Sequence, residues 1–475
     1  MTSTSTSSAN AATRPAALPD NPVVSGPLRR TLIGLALPVA AEQILSTLVG
    51  LVDTFLAGRL PAVSVAATSA VGFSAYAGWL VSMLFMLVGT GTTVLVARAF
   101  GANDRAQANR VLNQSMVLAL VMGVLGAVAM YTLAPHFASW LNMEGMTASI
   151  TVRYLRLDSL SYAVWAWTLV GGAALRGAGD MRTPLKVLAV VNAINAAVSP
   201  LLSRGIGPLP ALGIDGIVAG AICARTLGGL CIVYVLLRGR LGLRLGLSAC
   251  RPCYALMWRI LRIGLPAAAD GAIMWTGHFL FLKLIAWTGS SAGGPINYAF
   301  AAHMVVVRLE AFTYLPANAW AAACATMLGQ ALGAGLPQRA RLVGREAALQ
   351  AGCVAAVIGL GFIVFARPLC ALMHEDPHVV DQAAGVLRMI GAFEPVLALT
   401  IVYMGALRGA GDTVFPLFFT AFGLALVRLP VSYLLALYLG WGLRGAWLGV
   451  SADLLVRMTL AWTRFRRGRW VATKV

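Results

Sequence analysis

Charge is scarce in this 475-residue chain: Asp, Glu, Lys and Arg make up 11% of it, and only 17 residues are acidic. An ordinary water-soluble domain carries about 25%, so a soluble globular fold is excluded. Histidine (5) and cysteine (7) are also few and scattered. No H-E-x-x-H or D-x-x-x-D cluster occurs, so metal-assisted chemistry has no ligand set and the chain does not read as an enzyme. The lone C-x-x-C, Cys250–Cys253, sits in a basic loop without the two further ligands zinc requires. Cys223, Cys231, Cys324 and Cys353 fall inside apolar runs, where thiols are expected as small core residues. The first residues lack the basic start, apolar core and cleavage site of a secretory signal. Rich in Ser, Thr, Ala and Pro, they read as a flexible tail over residues 1–27. No cofactor is expected.

What the chain has in abundance is apolar length. Hydrophobic residues make up 59%, in recurring runs of about 20, each long enough to cross about 30 Å of hydrocarbon. The fold class is therefore an all-α polytopic membrane protein with about twelve transmembrane helices. The expected spans are 31–57, 64–97, 111–134, 150–174, 184–204 and 213–237, then 258–287, 295–328, 343–366, 380–406, 414–438 and 443–463. The net charge of +19 comes from Lys and Arg concentrated in alternate short loops and in a basic tail, 464–475. That is the positive-inside pattern. It places both termini in the cytoplasm of a bacterial inner (plasma) membrane. Anionic lipids, not nucleic acid, are the expected partners of the basic loops.

A repeat organises the rest. The stretch Ala174–Leu185, A-L-R-G-A-G-D-M-R-T-P-L, returns nearly half the chain later as A-L-R-G-A-G-D-T-V-F-P-L at Ala406–Leu417. Both copies read as tight polar elbows between buried helices. Leu37-Pro38 matches Leu265-Pro266, Gly101 matches Gly333, Pro200 matches Pro430, and Gly216 and Gly220 match Gly445 and Gly449. Two similar six-helix lobes follow, 28–237 and 258–463, joined by a basic linker, 238–257. Six crossings per lobe orient both halves alike, so their pseudo-twofold axis runs along the membrane normal.

Polar residues within lipid-spanning helices need a partner, a cavity or a function. The first helix carries Glu42, Ser46 and Asp53 near one face, and a carboxylate in a cavity can bind and release H+ or Na+. Asp53 serves equally as a hydrogen-bonded helix-end residue. The fifth helix presents Asn192, Asn195 and Ser199 on one face, as cation ligands or as interhelical glue. Asp270 lies four residues past Pro266, as Glu42 lies four past Pro38, a pair of gate, substrate or packing contacts. His278 reads as a packing residue and Arg308 as structural; His303 shares a face with Glu310, and Glu310 and Glu394 are further candidates for substrate or gate roles. Asp453 and Arg457 form an i,i+4 ion pair, and Arg225 and Arg428 need partners. Tyr162, Trp165, Trp167 and Trp275 are either aromatic contacts for flat cations or core residues.

The doubled L-R-G-A-G-D elbows, the Leu-Pro start followed by V-D-T-F-L-A-G in the first helix, and Ala301-Ala302-His303 together resemble the multidrug and toxic compound extrusion (MATE) family, from about Leu28 to Leu460. The resemblance implies a twelve-helix antiporter that expels organic cations and drugs using inward H+ or Na+ gradients. It also implies that Asp53 is the coupling aspartate, with Asn195 and its fifth-helix neighbours in the same site. Where some members place an Asp before the fifth-helix Pro, this chain has Ser199-Pro200. Where some use an acid eight residues past the seventh-helix Pro, it has Met274. A complete two-carboxylate Na+ cage is therefore missing. The alternatives are a lipid-linked glycan flippase, a major facilitator exporter and, from another class, a channel. A monomer is expected.

Overall fold

The computed structural model describes residues 22–60, 63–140, 143–205, 210–246, 251–290 and 298–473. After a helical turn at Pro22–Ser25, the first lobe consists of α1 (Leu28–Ala57), α2 (Ser64–Gly101), α3 (Arg105–Trp140), α4 (Gly145–Ser159), α5 (Tyr162–Gly177), α6 (Arg182–Arg204) and α7 (Ile214–Leu237). The second consists of α8 (Tyr254–Ser290), α9 (Tyr298–Gly333), α10 (Pro337–Met373), α11 (Pro377–Gly391), α12 (Glu394–Gly409), α13 (Val414–Tyr438) and α14 (Gly442–Arg467). Seven of these pass alone as membrane spans by length and composition, and the α11–α12 pair passes as one span bent by 57°.

Two of the expected single spans are thus broken, 150–174 at Leu160–Ser161 and 380–406 at Ala392–Phe393. The two breaks are separated by the same stretch of chain as the two elbows, so they belong to the repeat. Each break lies beside polar residues, Asp158-Ser159-Leu160-Ser161 at the first and Glu394-Pro395 just past the second, but apolar residues resume so soon that each expected span runs across it. The tail expected to run to residue 27 is structured from Pro22 onward. Val24 is buried, and Arg339 donates to Gly26 O at 2.6 Å. Residues 1–21 lie outside the described residues, as does Cys250. Cys324 is buried as expected, but Cys223 and Cys353 are exposed on the helix surface rather than in the core.

The elbows obey the physics that their sequence announces. Gly179 and Gly411 adopt φ +94° and +86°, the left-handed region that L side chains avoid. Asp180 then caps α6, accepting from the Arg182 and Thr183 amides (3.1 and 3.0 Å) and the Thr183 hydroxyl (2.6 Å). Burial opposes ionisation of Asp180, but the Thr183 and Arg240 hydrogen bonds outweigh it and hold its carboxyl below the ordinary range. Asp412 bonds Arg464 at 3.0 Å, yet burial wins there and pushes its carboxyl up.

The lobes meet on the face that carries both elbows. The elbow half of α1 (Leu32, Leu35, Ala36, Val39) packs into the second lobe with Ala319, Ala323 and Met327, while its far half (Leu56, Ala57) packs within the first lobe. The mirror holds for α8, where Ile260 and Ile263 join the first lobe and Phe281, Leu284 and Ile285 the second. Gly101 abuts Gln330 O, and Gly333 abuts Arg98 O, each too closely for a Cβ. Hydrogen bonds cross here from Thr326 to Arg176 O (3.0 Å), from Gln330 to Gly177 O (2.9 Å) and from Arg98 to Ala410 O (2.7 Å).

The linker and tail are both docked on this face. Asn109, Asn113 and Gln114 of α3 bond the backbone of Arg244, Gly246, Arg251 and Cys253. At the C-terminus, Trp470 is fully buried and stacks on Phe465 at 4.9 Å, and Arg98 donates to Thr473 O.

Candidate functional site

The first-lobe site grows from α1 and α6. Asp53 is 8% exposed and turned inward, away from the outer surface of the bundle. Asn195 Nδ2 donates to its Oδ1 at 3.3 Å and to Ser199 Oγ at 3.2 Å. The Ser199 hydroxyl reaches Ile217 O across the α6–α7 contact, where Gly220 leaves room for it. Asn195 Oδ1 is buried without a partner among the described residues. Asn195 also lines a cavity of about 970 Å³ with Val52, Thr54, Phe55, Ala196 and Arg204, so the carboxylate sits directly behind a wall that opens to a ligand-sized space. Of the expected set, Asp53, Asn195 and Ser199 converge. Asn192 does not reach the carboxylate. It lines the same cavity but donates to Leu45 O at 2.9 Å, bonding helix to helix.

Behind Asp53 lies a charge pair that sequence reasoning did not assemble. Arg225 of α7 donates to Asp158 of α4 at 2.5 Å and to Ser161 at the α4–α5 break, over the Trp165 ring at 4.8 Å. Asp158, Arg225 and the buried Tyr154 are near enough for their charges to act on Asp53. Arg225 needed a partner and has one; the missing signal was Asp158, four residues before Tyr162. Tyr162 itself is fully buried and donates to Asp158 at 3.2 Å. It has no exposed surface in this conformation and stands here as a core residue, the other of its two expected readings. Trp167 donates to Met116 O, and Trp275 packs on Trp79, linking the two lobes through α2 and α8.

Glu42 and Asp270 share one role. Glu42 takes Arg176 at 3.0 Å, and Asp270 takes Arg408. Arg176 and Arg408 are the arginines of the two elbow repeats, so each lobe's first helix is tied to its own elbow by equivalent pairs. In this structure both acids are engaged in ion pairs on the elbow side of each lobe.

The second lobe is charged differently. Asp453 takes Arg457 through two bonds (2.8 and 2.7 Å) and Arg428 as well, at 2.9 Å from Nε and 2.7 Å from Nη2. Among the described residues, Glu394, 2% exposed at the α11–α12 break, has no partner on either oxygen, and the neighbouring Thr313 hydroxyl and Trp447 indole N–H are unpaired too. Glu310 makes no ion pair among them. Both acids line a chamber of about 10 Å³ with Phe393, Trp447 and Ser451, room for about one water or monatomic ion. His303 is buried among His278, Phe281 and Trp447, with neither ring nitrogen bonded to a described residue.

Comparison with known proteins agrees with this duplicated architecture. The family model described as MatE matches residues 38–201 and 266–434, one stretch in each lobe. A probable multidrug resistance protein NorM of Thermotoga maritima is 30% identical over 448 residues, 93% of each chain. The multidrug resistance protein MdtK of Edwardsiella ictaluri is 27% identical, covering 93% of this chain and 97% of its own. In fold, the chain matches a MATE structure in a bent conformation (TM-score 0.86, 20% identity, 94% and 96% of the two chains). It also matches an outward-facing multidrug resistance MATE transporter of the MOP superfamily (TM-score 0.85, 20% identity, 95% and 98%). With both lobes matched in turn and a relative aligned along nearly its whole length, the chain belongs to the MATE family of membrane transporters.

Proposed function

We propose that this chain is a secondary antiporter that expels organic cations in exchange for inward H+ or Na+, with Asp53 as the coupling carboxylate. The observation that carries this reading is Asp53 itself, an acid buried in the first lobe, held by Asn195 and separated by that side chain from a cavity of about 970 Å³. The relatives named as multidrug resistance proteins support the substrate class. The family assignment counts against a major facilitator exporter.

Closure at the elbow face supports a conformation open on the opposite side, which the positive-inside pattern places outside the cell. An ion entering from there binds Asp53 and removes its net charge from the Asn195–Asp158–Arg225 surroundings. That favours one arrangement of α1 and α6 over the other. Substrate and ion then compete through one conformational equilibrium, each shifting it only by its difference in affinity for the two states. Glu310 and Glu394, which make no ion pair among the described residues, support a second titratable place in the other lobe.

The test is uptake of a fluorescent organic cation by proteoliposomes, with pH and Na+ gradients imposed separately. Asp53→Asn is expected to reduce gradient-driven transport to the level of empty vesicles. Undiminished coupling in that variant would refute the assignment, and current without exchange would mark a channel.

A further inference from the structure

The internal repeat locates a residue for the second lobe's acids. Gly220 packs on the Ser199 backbone, 2.7 Å from its Cα to a built Cβ, and Gly449 packs on Ser432 in the same way, 2.6 Å from its nitrogen. Ser199 Oγ bonds Ile217 O and Ser432 Oγ bonds Ala446 O, each three residues before the glycine. Ser199 and Ser432 are therefore equivalent, yet they stand one residue further apart in the chain than the two elbows do. The extra residue is taken up by a π-turn over Gly423–Arg428, the usual form of a one-residue helix insertion and one frequent at functional sites. This corrects the Pro200–Pro430 match: Pro430 falls opposite Ala197. It also sets Arg428, four before Ser432, opposite Asn195, four before Ser199.

Asn195 is the polar partner that α6 offers to its lobe's acid. We propose that Arg428 is the corresponding positioning residue on α13, exchanging its partner between Asp453 and Glu310 as Glu310 gains and loses its proton. The inference rests on reading Glu310 and Glu394 as a titratable site. Asp453 has two guanidinium partners and keeps Arg457, bidentate, when Arg428 leaves. Glu310 has none among the described residues, and the charges of Arg428 and Glu310 already act on each other. The charged or titratable groups around Glu310 are His278 of α8, His303 of α9, Glu394 of α12, Arg428 of α13, and Asp453 and Arg457 of α14. Arg428 can turn away without stranding Asp453, which keeps Arg457 through two bonds, and it is the arginine whose charge reaches Glu310. The π-turn ends at Arg428, so its hydrogen bonding can revert to an α-turn and rotate the side chain.

The experiment uses the full chain in proteoliposomes. Arg428→Met is expected to lower gradient-driven transport about tenfold and to move its pH midpoint by about one unit. Arg428→Lys retains at least half of the rate. In a Glu310→Gln background, Arg428→Met adds less than a twofold further loss. Arg457→Met, which leaves Arg428 as the sole partner of Asp453 and so pins it there, reproduces the pH shift independently. Losses that multiply in Arg428→Met/Glu310→Gln, or an unmoved pH midpoint in both Met variants, would overturn the proposal. If Glu310→Gln and Glu394→Gln leave transport and its pH profile unchanged, the titratable-site reading itself has failed.

Discussion

In the first lobe one arginine, Arg225, faces one aspartate, Asp158, and the remaining acid, Asp53, is held by an amide. In the second lobe two arginines crowd one aspartate, Asp453, while Glu310 and Glu394 have no ionic partner among the described residues. Yet the elbows, the Glu42–Arg176 and Asp270–Arg408 pairs and the Ser–Gly contacts of α6–α7 and α13–α14 are shared. The features common to both halves are those that bend, pack and latch the bundle. Those that differ lie around cavities and carry unbalanced charge, which is what division of labour between duplicated lobes requires.

The comparison breaks most sharply if Asp53→Asn, which should abolish gradient-driven transport, proves no worse than Asp453→Asn in the same vesicles. Next in size, Arg225→Met strands Asp158 in the interior and should cost about 3–5 kcal/mol. Arg428→Met leaves Asp453 its second arginine and should cost only about 1–2 kcal/mol. Melting temperatures of the two variants in detergent measure the contrast, and equal losses would erase it. Gly220→Ala and Gly449→Ala press a methyl on equivalent serine backbones, so each should cost about 1–3 kcal/mol by a similar drop in melting temperature.

The smallest effect separates the elbows. The Asp180 carboxyl is held below its usual range, so its stabilisation is full above the ordinary carboxylate pKa and fades as pH falls through the depressed folded value. The Asp412 carboxyl is raised, so its ionised form opposes folding above the folded pKa, and that cost is relieved as pH falls through the folded value toward the ordinary carboxylate pKa. Asp180→Asn should therefore cost about 1 kcal/mol at pH 7 and less at pH 3. Asp412→Asn should be neutral or slightly stabilising at pH 7. Melting curves at both pH values check the two signs.

Much of this was legible in the chain itself. The doubled elbow announced two lobes, and helical spacing put Asn195 and Ser199 on one face of α6 and Asp53 on one face of α1, while their union in one site came from the family resemblance. Asn192 shared that spacing but bonds to backbone, a distinction that depends on how α6 is rotated against α1. The breaks at Leu160–Ser161 and Ala392–Phe393 were hidden because apolar residues resume within a few positions of Asp158–Ser161 and of Glu394-Pro395, so the polar residues alone did not mark a bend. Asp158 and Arg225 lie far apart in the chain and meet only through packing of α4 on α7. The π-turn in α13 adds one residue, and a prolyl match three residues away disguised it. Ser432 beside Gly449 was the better guide.

The basic connection between the lobes has a practical consequence. Because Asn109, Asn113 and Gln114 fasten its backbone to α3 at Arg244, Gly246, Arg251 and Cys253, the entry to α8 is held against the first lobe by side chains as well as by the chain itself. A protein cut in this linker would keep both of those flanks fixed to the amino-terminal fragment. Two fragments made separately would still possess the interlocked α1 and α8 surfaces through which they recognise each other.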